Sequence, residues 1–140
     1  MTIDNMKDQG GTVMQYLITA HEGANPEKQM EFPYCKLEIF LPESHLPALQ
    51  EALCSVDAGH IGRYDSCLSY YQVMGTWRPL EGTSPYLGVP GAVSCEPEVK
   101  VEVTVRTERL KETMQAVKAI HPYEEPVINA IPLLATGLDI

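Results

Sequence analysis

The chain has 140 residues, 44% of them hydrophobic, with a formal net charge of −9 and only 10 Lys and Arg. That length fits one domain, which buries roughly 68–70% of its unfolded surface on folding, so global disorder is a poor description. Scattered basic residues on an acidic chain exclude a phosphate-binding footprint, so no nucleic-acid partner is expected.

No apolar run approaches the ~20 residues that cross a bilayer, and no basic region precedes an apolar stretch with a cleavage site. A cytoplasmic protein without a membrane partner is the expectation. Cys35, Cys54, Cys67 and Cys95 form neither a C-x-x-C pair nor a zinc-ribbon spacing. They read as reduced, buried cysteines.

Residues 1–33 read as an N-terminal extension: polar and glycine-punctuated at 1–12, helix or strand at 13–20, and a connecting loop from 21. Residues 34–134 form the domain and 135–140 a tail. Cys35, Leu37, Ile39 and Leu41 alternate with Lys36, Glu38 and Phe40, a strand pattern. Leu46, Leu49, Leu53 and Val56 recur at helical spacing, with Gly59 as the expected C′ glycine. Ser66 to Trp77 reads as a long strand, and the three prolines and three glycines of residues 79–91 as a loop. Val99, Val101, Val103 and Val105 make the cleanest strand. Thr107 is placed to cap a helix carrying Leu110, Met114 and Val117. Residues 121–126 (HPYEEP) then lead into a last strand from Val127 to Leu133.

Strand, helix, strand, strand, helix, strand gives an α+β, ferredoxin-like βαββαβ antiparallel sheet with both helices on one face. The uncovered face favours a homo-oligomer. Connectivity sets residues 121–126 near the loop at 78–91, and residues 58–65 at the other sheet edge. A strand of six to eight residues separates the two edges by roughly 20–26 Å at ~3.3 Å per residue. His60 and His121 therefore cannot share a ligand within one subunit.

Three blocks, residues 59–65 (GHIGRYD), 75–88 (GTWRPLEGTSPYLG) and 121–126 (HPYEEP), together resemble the YqfO-type insert domain of Nif-three-like proteins. The last block is also similar to the end of CutA-type divalent-cation tolerance proteins. The resemblance, over about residues 34–133, implies a PII/CutA-like domain, with a trimer favoured over a dimer. The dimetal body of the longer proteins has no counterpart here. The chain is thus expected to be the insert domain alone, without that body's hydrolase or cyclohydrolase activity.

Several residues are candidates for binding chemistry. His121 with Glu124 or Glu125 could contact a ligand or a divalent metal, His121 and Glu125 suiting Zn or Cu; the alternative is a helix-terminal histidine favoured by the macrodipole. Tyr123 is a ligand contact or a packing residue. Glu124 and Glu125 are adjacent, so on a strand they face opposite ways and make a poor acid–base pair. Arg78 and Glu81 lie on a loop that could close over a small molecule or pack on a neighbouring subunit. His60, Tyr64 and Asp65 form a second polar cluster, or a turn shaped by Gly59 and Gly62. Cys67 lacks a nearby base and is not a nucleophile.

The expectation is a non-catalytic oligomeric module that binds or senses a small ligand or divalent metal. A metal-assisted hydrolase of a nucleotide-like substrate and a protein-interaction module compete with it.

Overall fold

The computed structural model describes residues 32–139; the expected N-terminal extension lies almost wholly outside them. Strand β1, Tyr34–Leu41, follows its sequence alternation closely, with Cys35, Leu37, Ile39 and Leu41 buried and the intervening residues half-exposed. Strand β2 is Ser69–Trp77, β3 is Ser94–Arg106 and β4 is Ile128–Pro132. They form one sheet in the order β2-β3-β1-β4, every neighbouring pair antiparallel. Helices α1, Leu46–Ser55, and α2, Leu110–Ile120, occupy the two crossovers.

The core joins the inward residues of β1 with Val99, Val101, Val103 and Val105 of β3, Leu49 and Leu53 of α1, and Val117 of α2. Thr113 is also fully buried there, and its hydroxyl donates to the Arg109 carbonyl at 2.7 Å, so no polar atom is stranded. This is the ferredoxin-like α+β architecture that the element order implies.

Several local expectations are corrected. Helix α1 does not end on Gly59: Asp57, at φ 61°, takes the C′ position. Its N–H bonds the Cys54 carbonyl at 3.1 Å and the Ala58 N–H bonds Leu53 at 2.9 Å, a Schellman pattern. Gly59 instead lies where a side chain would run into the Cys67 carbonyl, its own N–H bonded to Thr104 at 3.0 Å. Thr107 does not cap α2; its hydroxyl donates to the Phe32 carbonyl at 2.7 Å and a single 3-10 turn precedes the helix.

Strand β2 begins at Ser69 because Ser66 sits at φ 56°, outside extended space. Strand β3 begins five residues before Val99, and residues 94–98 pair with β2 alone, since β1 reaches only to the Leu41–Val99 pair. Pro97 is tolerated there because one side of β3 is unpaired. Strand β4 is shorter than the apolar run that suggested it.

The face away from the helices carries a charged ladder. Lys100 lies 3.3 Å from Glu38 and 3.9 Å from Glu102, while Lys36 lies 3.3 Å from Glu102. The Lys100 ammonium also sits 5.7 Å from the Phe40 ring centre and 5.8 Å from that of Tyr71. Its pKa is raised by the Tyr71 hydroxyl first and then by Glu38.

Candidate functional site

The end of β2–β3 that outruns β1 is where the polar chemistry gathers. Glu98 follows the outward alternation of β3, yet only 7% of it is exposed. Residue 75, diagonal to it and two positions beyond its register partner Val73, is glycine, and a side chain there would overlap the Glu98 carboxylate. Glycine inside a strand commonly marks such a close approach. The Tyr123 hydroxyl donates to this carboxylate, and each partner responds as physics requires. Burial pushes the Glu98 carboxyl upward against the lowering effect of that bond. The Tyr123 phenol is pushed up to about 12, first by burial and then by the Glu98 charge.

Tyr123 is held by its neighbour of two residues earlier. Its backbone N–H donates to Nδ1 of His121 at 3.1 Å. Nε2 of His121 lies 2.6 Å from the Phe40 carbonyl, so it carries the proton and donates. The imidazole is 8% exposed, and burial lowers its pKa, keeping it neutral. Both ring nitrogens thus point at backbone partners. His121 joins helix α2 to the edge of β1 and fixes the tyrosine.

Around this pair lies a cavity of about 810 Å³, within the size range of small-molecule sites. Its walls are aromatic: Phe40, Trp77, Tyr86 and Tyr123 all line it. The Tyr123 ring centre is 6.0 Å from Trp77 and 5.9 Å from Tyr86, and Tyr86 meets the His45 ring edge-on at 5.9 Å. Glu98 and Gly75 also border it, with Arg78, Glu81, Glu124 and Glu125 among the polar lining.

Residues 78–83 and 85–87 line the cavity, and the loop that carries them is tied down at three points. The Trp77 indole N–H donates to the Leu87 carbonyl at 3.0 Å, and the Gly91 N–H bonds Pro79 at 2.8 Å. Glu124 then accepts from the Ser84 N–H at 3.1 Å, joining the loop to the 121–126 turn. Gly88, at φ 100°, permits the closure, since a side chain there would press on Ser94 and Trp77. The structure therefore brings Arg78, Glu81, Tyr123, Glu124 and Glu125 around one cavity. His121 stands behind Tyr123 instead of lining it.

His60, Tyr64 and Asp65 lie elsewhere, beside a separate space of about 200 Å³. Nδ1 of His60 meets Asp57 Oδ1 at 2.7 Å, and Nε2 meets the Gly62 carbonyl at 2.9 Å. The Asp57 bond, followed by the Gly62 carbonyl, raises the His60 pKa, and His60 in turn lowers that of Asp57. These bonds form a latch across the turn after α1. Tyr64 pairs by its backbone with Ile61.

Glu98, Gly75, Trp77 and Tyr86 were not among the residues singled out for chemistry. Glycine within the otherwise aromatic and β-branched β2 was the available signal for Glu98 and Gly75; that Trp77 and Tyr86 both flank the proline-rich loop was the signal for the aromatics. All four cysteines are free, but only Cys35 is buried; Cys54 and Cys95 are exposed, against expectation. Among the described residues no three His, Cys, Asp or Glu side chains converge as a metal ion would require. No described helix is long and apolar enough to cross a membrane.

Comparison with known proteins follows the same lines. The profile of the CutA1 divalent ion tolerance protein family matches residues 81–138. A GTP cyclohydrolase 1 type 2 homolog of Halalkalibacterium halodurans is 38% identical over 102 residues, which cover 73% of this chain and 27% of that protein. Its counterpart in Listeria monocytogenes is 34% identical over 129 residues, covering 89% and 34% respectively. The chain therefore spans only about a quarter to a third of the curated relatives it matches. Among solved structures, a Bacillus cereus protein related to NIF3 superposes with TM-score 0.66 at 29% identity, over 76% of this chain and 27% of that one. The periplasmic divalent cation tolerance protein CutA of Archaeoglobus fulgidus gives 0.58 at 21% identity, over 76% and 92%. The latter match shows the fold alone.

Proposed function

Because the chain carries the PII/CutA-like domain of Nif3-like proteins, we propose that it is a binding or sensing module for a small ligand. One observation carries this reading: a roughly 810 Å³ aromatic-walled cavity with a buried, hydrogen-bonded carboxyl at its border. Small-molecule sites combine apolar walls with a few placed polar groups in this way. Neither polar group is poised for chemistry. Glu98 is engaged by Tyr123, and His121 spends both nitrogens on backbone.

The module works as a homo-oligomer, since the sheet face opposite the helices is without cover within the described chain, and the PII/CutA-like resemblance favours a trimer over a dimer. Light scattering checks this, and a monodisperse monomer would count against it.

Trp77 is the sole tryptophan of the sequence and borders the cavity, so its fluorescence reports occupancy. Titration with a panel of metabolite-sized molecules should give saturable changes that Tyr123→Ala abolishes. A panel without effect on Trp77 or on the melting temperature would sink the reading.

The CutA1 match favours a second version, in which Zn or Cu is bound by His121 and Glu125. It requires the imidazole to leave the Phe40 carbonyl. Submillimolar Zn or Cu binding that His121→Ala removes would support it. Metal-assisted hydrolysis is the enzymatic competitor, and turnover of a nucleotide-like substrate by this chain would decide for it.

A further inference from the structure

We propose that the cavity takes a small organic cation of the alkylammonium class, seated on the ring faces of Trp77 and Tyr86 with its charge toward Glu98. The inference deepens the ligand-binding reading above and rests on it.

The charge of the lining is one-sided. Glu81, Glu98, Glu124 and Glu125 border the cavity against a single cation, Arg78. An anion of the phosphate class would meet four carboxylates, two of which accept hydrogen bonds from the protein and hold their positions.

Glu98 supplies the specific argument. A carboxylate has about four acceptor sites, and the Tyr123 hydroxyl fills one of them. Burying an ionised carboxylate is costly unless a counter-charge accompanies it. Among the described residues Glu98 is in no ion pair, and a cation in the cavity provides that counter-charge. The walls select the kind of cation. A compact metal ion needs several converging donors, which the described residues do not form here. A diffuse organic cation instead gains from aromatic faces, with tryptophan and tyrosine the favoured rings. Tyr86 is 49% exposed, so part of its ring remains accessible to a ligand.

The test uses the full chain and three probes: choline, its neutral isostere 3,3-dimethylbutan-1-ol, and inorganic phosphate. Trp77 emission and calorimetry read binding. Choline should bind saturably, and the isostere roughly tenfold or more weakly, the order expected for a desolvated cation–π contact. Glu98→Gln, which removes the charge and keeps the shape, should weaken choline by a similar factor. Tyr86→Leu, at an exposed position, should weaken choline more than the isostere, and it serves if the Glu98 variant fails to fold. Equal binding of choline and isostere would overturn the cation assignment while leaving a ligand cavity; so would binding of phosphate alone. Silence from all three probes and from the metabolite panel would overturn the parent reading as well.

Discussion

Glu98 lies in the space that a side chain at position 75 would occupy, so the two residues are a matched pair: the carboxyl of Glu98, whose register partner is Val73, reaches diagonally across the strands into the gap left by Gly75. The Tyr123 hydroxyl then completes the carboxyl's environment from a different part of the chain. One strand gap, one acid and one phenol thus join β2, β3 and the 121–126 turn.

Gly75→Ala should fold, because the atoms in its way belong to the end of a flexible side chain. The rotation that relieves the clash breaks the Tyr123 bond and leaves its partners under-satisfied. Unfolding in urea should show a loss of about 1–3 kcal/mol. In the Glu98→Ala background the same change should cost far less, since the overlap is gone. Equal losses in both backgrounds would refute the pairing.

Tyr123→Phe removes the donor and keeps the ring. Because that bond lowers the Glu98 pKa, the variant's carboxyl should titrate even higher than in the parent. At pH 7 the variant should lose about 1–3 kcal/mol. The deficit should shrink as pH falls, because Glu98 then protonates and no longer buries a charge. A deficit independent of pH would mean the lost energy is packing.

The architecture was legible because its signals are local. The valine alternation at 99–105 and the leucines of α1 reappear directly as the core. Connectivity alone put the 121–126 turn beside the loop, where the Glu124–Ser84 bond now is. Glu98 was not legible, because on β3 it alternates just as Glu102 does. Only the overlay of Gly75 and Tyr123 makes the first buried and leaves the second in a surface ladder. The end of α1 was misread for a similar reason. Glycine is the usual C′ residue, but Asp57 accepts the left-handed conformation and its carboxylate meets His60. His121 read as either a ligand or a helix-terminal histidine, and it does stand at the end of α2; its bonds to Phe40 and Tyr123 depend on where β1 ends, which no local pattern encodes.

The two histidines should give opposite pH dependences of stability. His121 is held below its ordinary value by burial. Its contribution is present above ~6.5 and is lost as pH falls toward the lowered folded value. His60 is held above its ordinary value, mainly by Asp57. Its contribution is present below ~6.5 and fades as pH rises through the raised value. Melting temperatures between about pH 5 and pH 8 should show His121→Gln destabilised throughout but with a flatter acid side. His60→Asn should instead be destabilised at the acid end and converge on the parent at the alkaline end. Exchange of the two patterns would contradict the tautomer and ion-pair assignments.

The sheet's open face yields the last prediction. Glu38 and Glu102 stand directly opposite each other in the β1–β3 register, and like charges so placed destabilise a sheet. Lys100 contacts both carboxylates, whereas Lys36 contacts only Glu102. Lys100→Met keeps the stem over Phe40 and Tyr71 but removes the charge between the acids. Its urea midpoint should fall, and that of Lys36→Met should fall less. The loss should be largest at low ionic strength, because screening over ~10 Å at 0.1 M weakens exposed repulsion. An unchanged loss at high salt would mean that the ammonium works through its rings, and that the facing glutamates repel too weakly to matter.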